Sequence, residues 1–157
     1  MSEIPVTPPE HLPTRRLFFA LWPEVETGRR LYELADPVMR AGAGRRLVPE
    51  NIHLTLAFLG SVTEADRACY EQAAAAVSGH VFDLTLDHLG GFQRSGILWV
   101  GPGLIPEALT GLVHALQQGL RACGYVPEER PFRAHLTLAR NLRHCPEEQP
   151  VAPVVWN

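Results

Sequence analysis

The sequence predicts an α+β domain built from a duplicated unit, and three observations carry that reading. Segments patterned as strands and helices follow the order β-α-β-α-β-β-α-β. The pentapeptide His-Leu-Thr-Leu-Ala occurs twice, at 53–57 and again at 135–139. Each copy lies in a strand that follows a helix and its connecting loop. Helices are therefore expected to cover the outer faces of the sheets that carry the repeats.

The elements follow in chain order. "RRLFFALW" (15–22) is a short apolar and aromatic run that reads as a buried strand, and Pro23 suits a first helical position behind it. Leu31, Leu34, Val38 and Met39 recur at helical spacing, with Pro37 expected to break or kink the run and "AGAG" (41–44) to end it. The first repeat is entered through "VPEN". Thr63 with an acid three residues on caps an Ala-rich helix, "RACYEQAAAAV". "FDLTLDHL" (82–89) alternates as a half-buried strand, "GGF" is read as a turn, and "GILWVG" (96–101) as the strand's neighbour. Leu109, Leu112, Val113, Leu116 and Leu120 form the stripe of a helix over 106–124, closed by Gly124. The second repeat follows, and a Pro-rich stretch, "CPEEQPVAPVVWN", closes the sequence.

A chain of 157 residues is enough for one domain with a real core. Its net charge of −3 exerts no global pull on nucleic acid or anionic membrane, so a polyanion needs a local basic patch. All 14 basic residues are Arg, whose planar fork can give two hydrogen bonds to one phosphate. Cys69, Cys123 and Cys145 are odd in number and form no CxxC pair. That argues against a disulfide framework and for a reducing compartment, with Cys69 and Cys123 as buried thiols within helices. No stretch approaches the roughly 18–20 apolar residues of a membrane span. Residues 1–14, with acids and prolines where a signal peptide would be basic and apolar, are read as a flexible arm of a cytoplasmic protein.

Side chains alternate across a strand. Ile52, Leu54, Leu56 and Phe58 are thus expected on one face, with His53, Thr55 and Ala57 on the other; Leu136 and Leu138 likewise oppose His135 and Thr137. The Leu faces belong against helices, which frees the His-Thr faces to line a groove. Two halves packed about a pseudo-two-fold axis bring two imidazoles and two hydroxyls around one ligand. A neutral imidazole can take a proton from water while a charged one gives a proton to a leaving oxygen. Thr hydroxyls can donate to a non-bridging oxygen. That set matches in-line attack on a phosphodiester without metal.

Two His-x-Thr-Leu motifs, with "RRLFFALW", "ENIHLTLAFLG", "GILWVG" and "PFRAHLTLAR", resemble the 2H phosphoesterase superfamily. Within it they resemble the RNA 2′,3′-cyclic phosphodiesterase branch, also called the 2′-5′ RNA ligase family. The resemblance runs from about Arg15 to the C-terminus. It implies two pseudo-symmetric lobes of mainly antiparallel sheet with outer helices around a central cleft, the LigT-like fold, and no metal or other cofactor. It further implies hydrolysis of RNA terminal 2′,3′-cyclic phosphate to a 2′-phosphomonoester, with a 2′-5′ ligase side activity. His53 is then the proton donor, His135 the proton acceptor, Thr55 and Thr137 phosphate contacts, and Arg140 a substrate-phosphate residue. Strand parity alone points Arg140 to the Leu side, so it reaches the cleft only if the strand ends or bulges there. The family commonly has Trp where this chain has Leu47 or Val48, and Pro where it has Ala134. Members continue past a segment like "VVWN" into further strands. Residues 15–157 are thus expected to form one two-lobed domain lacking those strands, with an exposed sheet edge.

Other readings stay open at this point. The chain could act on another small cyclic phosphate or nucleotide diester, or be a silent module that binds RNA ends or nucleotides. Zinc usually takes three or four protein ligands, and no Cys, His or acid cluster has suitable spacing. His11, His80, His88, His114 and His144 lack the repeated context and are assigned to surface or loops. Arg15, Arg16, Arg45, Arg46, Arg130, Arg133 and Arg143 could border the cleft or be solvated charge. Phe18 or Phe19 could stack on a terminal base or pack in the core. RNA 3′ ends or small cyclic nucleotides are the expected substrates of a monomer with no obligate protein partner.

Overall fold

The computed structural model describes residues 12–41 and 44–157; residues 1–11 of the expected arm and Gly42 and Ala43 of "AGAG" lie outside it. The strands are β1 (Thr14–Leu21), β2 (Arg45–Arg46), β3 (Leu54–Thr63), β4 (Leu84–Phe92), β5 (Ile97–Gly101), β6 (Leu136–Arg140) and β7 (Gln149–Trp156). The helices are α1 (Val25–Leu34), α2 (Asp36–Ala41), α3 (Glu64–Ala75) and α4 (Glu107–Arg121), with a 3₁₀ turn at Pro49–Asn51. One seven-stranded sheet runs β1-β3-β6-β5-β4-β7, every pairing is antiparallel, and β2 lies against β6.

Leu54, Leu84, Leu86, Leu98, Val100, Leu136 and Leu138 are at most 1% exposed and form one cluster with Leu31 of α1 and Leu109 and Leu120 of α4. The helices therefore cover the Leu face, as the pattern predicts. Thr63 caps α3, its hydroxyl accepting from the Asp66 amide at 3.2 Å and donating to the Asp66 carboxylate at 2.7 Å. Gly124 takes φ 86° just beyond α4, a conformation in which a Cβ is strained. No described helix is long and apolar enough to cross a membrane.

Several expectations need correction. Helix α1 opens at Val25 with Glu24 at its N-cap, so Pro23 stands outside it. The break before α2 falls at Ala35, and Pro37 lies in the first turn of α2, where its missing N–H costs no helical bond. "GGF" is not a turn: β4 continues through Gly90, Gly91 and Phe92. Its glycines serve close packing. A Cβ at Gly90 would meet the Trp99 indole at 2.5 Å, and one at Gly91 would overlap Cys145. The Pro-rich end is strand β7, which sits at a sheet edge where Pro150 and Pro153 need not donate to a second neighbour. His88 lies in β4, within the strand expected over 82–89, but it is half-buried rather than a surface residue, with its Nδ1 2.8 Å from the Asp87 carboxylate.

The cysteine reading also fails. Cys69 and Cys123 are joined in a disulfide, with Cα atoms 5.8 Å apart, and neither is buried; only Cys145 is a free buried thiol. The packing of α3 against α4 brings them together across a separation of 54 residues, which no local spacing rule could register. A loop of that length gives a chain-entropy stabilisation of about 4 kcal/mol. Cys123→Ser is expected to lower the urea midpoint of unfolding accordingly. Dithiothreitol should lower the wild-type midpoint to the same value and leave the variant unchanged.

Candidate functional site

The two repeats meet in the middle of the sheet. Strands β3 and β6 run antiparallel and pair at Leu54 and Leu136, the second residue of each copy. The local two-fold therefore passes between equivalent positions. His53 and Thr55 flank the pair on one strand, and His135 and Thr137 on the other, all four half-buried on the face that the helices leave uncovered. The four residues that the sequence singled out are thus brought together.

Each imidazole is held in the same way. His53 Nδ1 lies 2.8 Å from the Asn51 carbonyl, and His135 Nδ1 lies 2.8 Å from the Arg133 carbonyl. A carbonyl only accepts, so both Nδ1 atoms carry the proton. When neutral, both rings then leave Nε2 as the free acceptor. The surroundings differ. His53 stacks on Phe18 at 4.9 Å and 20° and leans on Trp22 at 5.1 Å, whereas His135 meets Phe92 at 5.1 Å and 86°. Burial pushes the His135 pKa below the ordinary imidazole value of 6.5, and the charges of Arg133, His53 and Arg140 press it further down against the opposing carbonyl bond.

A bulge in each repeat completes the face. On β3, Thr55 pairs with Ala20 but Ala57 pairs with Phe19, so Leu56 is an extra residue. On β6, Thr137 pairs with Trp99 but Ala139 pairs with Leu98, so Leu138 is the extra one. Both Leu-Ala steps are consequently buried throughout: Leu56 is 6% and Ala57 3% exposed, and Leu138 and Ala139 are both 0% exposed. The alternation expected for residues 52–58 breaks here. Ala57 turns into the core, and Phe58, expected with the Leu face, emerges on the His face opposite Phe18. The same slip turns Arg140 to the His135 side, meeting the condition that parity had set for it. It also accounts for the Ala that ends the pentapeptide, because the residue after the bulge must fit beneath the sheet.

The other arginines separate by their partners. Arg46 lies over Tyr32 at 4.1 Å and bonds Asp36, so it is structural rather than a cleft residue. Arg133 lies over Trp99 at 4.5 Å and Phe92 at 5.3 Å, and donates to Glu148 at 2.7 Å. Arg16 lies 5.2 Å above the Phe58 ring. Phe18 belongs to the site by its stack on His53, while Phe19 packs against the core. Trp22, Phe92 and Trp99 went unrecognised in the sequence. The only available signal was that Trp99 shares a face with its cross-strand partner, which needs the register to be known. Among the described residues, no three His, Cys, Asp or Glu side chains gather as a metal-binding group.

Comparison with known proteins converges on one family. The model for LigT-like phosphoesterases matches residues 21–99. The RNA 2′,3′-cyclic phosphodiesterase of Escherichia coli K12 is 33% identical over 127 residues, covering 81% of this chain and 72% of that protein. The RNA 2′,3′-cyclic phosphodiesterase of Archaeoglobus fulgidus is 31% identical over 139 residues, covering 84% and 76%. Among solved structures, E. coli LigT complexed with 3′-AMP superposes with a TM-score of 0.80 at 29% identity, over 91% of this chain and 84% of that one. TT0787 of Thermus thermophilus gives 0.70 at 25% identity, over 87% and 84%. By sequence and by fold, this chain belongs to the LigT-like phosphoesterase family.

Proposed function

We infer that the chain hydrolyses terminal 2′,3′-cyclic phosphates of RNA, without a metal, to 2′-phosphomonoesters. The observation that most supports this reading is the pair of imidazoles on equivalent strands, each with Nδ1 tied to a carbonyl and Nε2 free. The activity for which the E. coli and A. fulgidus relatives are named points the same way.

His135 is the proton acceptor. Its depressed pKa keeps it neutral near pH 7, and Nε2 takes a proton from water as the water oxygen bonds to phosphorus. His53 is the donor, and its protonated Nε2 delivers a proton to the 3′ oxygen as the P–O3′ bond breaks. The stacked face of Phe18 suits the charged ring that this role requires. Thr55 and Thr137 donate to the non-bridging oxygens, and Arg140 offsets their charge. A ribose 5′-hydroxyl in place of water, giving its proton to His135 as its oxygen bonds to phosphorus and the P–O3′ bond breaks, would give a 2′-5′ linkage. Arginine-rich surroundings and exposed aromatic rings suit single-stranded RNA as the substrate.

Phosphorus NMR of the product from an RNA ending in cyclic phosphate tests the activity and the bond cleaved together. A 2′-phosphomonoester is expected, with turnover unaltered by EDTA; a 3′-phosphate would reverse the roles of the two histidines. His53→Ala and His135→Ala should each lower kcat by roughly 10²–10⁴-fold. Because His135 must be neutral, the acid limb of kcat/KM should lie below pH 6.5. Arg133→Gln removes one charge that opposes protonation of His135, so it should move that limb to higher pH.

A further inference from the structure

Charge accounting around β6 singles out two arginines. Arg45 on β2 pairs directly with Arg140 on β6. Residues directly opposite across an antiparallel pair share a face, with Cβ atoms about 4.5–5.5 Å apart, and like charges so placed repel. The bulge at Leu138 turns Arg140 toward His135, so its cross-strand partner Arg45 looks onto that same face. The next pair down the ladder, Arg46 and Ala139, faces the other way: Arg46 is tucked against Tyr32 and Asp36, and Ala139 is 0% exposed. Arg46 and Arg133 each have an acid, Asp36 and Glu148 respectively. Arg45 and Arg140 are both exposed, and neither forms an ion pair among the described residues. Folding thus brings two positive groups side by side at one end of the site with no anion between them.

The opposite end is different in kind. Beside His53 lie the rings of Phe18 and Trp22, which suit a base rather than a phosphate. An RNA that ends in a cyclic phosphate extends from the site in only one direction, through the 5′ oxygen of its last nucleotide. Its next negative charge is the phosphodiester attached there.

We propose that Arg45, set beside Arg140 by the pairing of β2 with β6, binds the phosphodiester on the 5′ side of the terminal nucleotide and so favours oligonucleotides over cyclic mononucleotides. This rests on the hydrolase reading above. Arg45 contacts no reacting atom, and its contribution is to binding.

The test compares wild type, Arg45→Gln and Arg45→Lys on uridine 2′,3′-cyclic phosphate, which has no 5′ phosphate, and on a hexaribonucleotide ending in a 2′,3′-cyclic phosphate. Each is assayed from 50 mM to 1 M salt. For the hexanucleotide, Arg45→Gln should raise KM about eightfold at 50 mM relative to its effect at 1 M and shrink the log–log salt slope by about 0.7, the value for one phosphate contact on a single strand. Its kcat should stay within about twofold, Arg45→Lys should keep the wild-type slope, and the mononucleotide should be indifferent to both changes. The melting temperature of Arg45→Gln should not fall, since a repulsion has been removed. An equal loss on both substrates, or a hexanucleotide KM that does not change, overturns the proposal. Absence of wild-type turnover on both substrates would instead sink the hydrolase reading. Equilibrium binding of a hexanucleotide with a 2′-phosphate end then reads the same slope and decides the role of Arg45 separately.

Discussion

Everything at the candidate site depends on the antiparallel pairing of Leu54 with Leu136. Antiparallel strands that pair at equivalent residues place each His beside the other strand's repeat, and the chemistry requires only that both imidazoles remain on the uncovered face. Burial of the Leu face enforces this. A one-residue slip of either strand would send its His into the core and its Leu into water. With Leu54 and Leu136 both 0% exposed, such a slip would expose several fully buried side chains at roughly 1.5–3 kcal/mol each. The apolar interior thereby fixes the polar site.

The bulges extend this logic. A strand of strict alternation offers the site only His and Thr from each repeat. The extra residue at Leu56 and at Leu138 brings the sixth position, counted from each His, to the same face, and the two halves fill it differently, with Phe58 on one side and Arg140 on the other. The symmetry of the backbone therefore carries an asymmetry of chemistry. One end of the face is aromatic and packs against His53. The other is cationic and helps to keep His135 neutral. Two identical pentapeptides in this way hold their imidazoles in unlike surroundings.

How much of this was legible in the sequence follows from where each signal is stored. Alternation and repetition are local, and they marked β1, β3, β4, β5 and β6, the long helix and all four His and Thr residues. The bulges are defined by the partner strand, so Phe58 was placed on the wrong face and Arg140 could only be given a condition. Gly90 and Gly91 carry the same letters in a turn as in a close contact, and only the Trp99 indole and Cys145 decide between them. The Pro-rich end was given no element, because the edge position that lets it pair as β7 is a property of the sheet. The Cys69–Cys123 bond and the two-residue strand β2 depend on tertiary packing alone.

The contact between Gly90 and Trp99 reaches beyond packing. The indole lies across a residue with no side chain, and its own position is opposite Thr137, beneath the guanidinium of Arg133. The two positions are therefore not free to vary independently. Descendants of this chain could lengthen residue 90 only by trimming residue 99, and any such exchange would remove the shelf on which Arg133 rests, so drift in a remote strand is tied to the charge felt by His135.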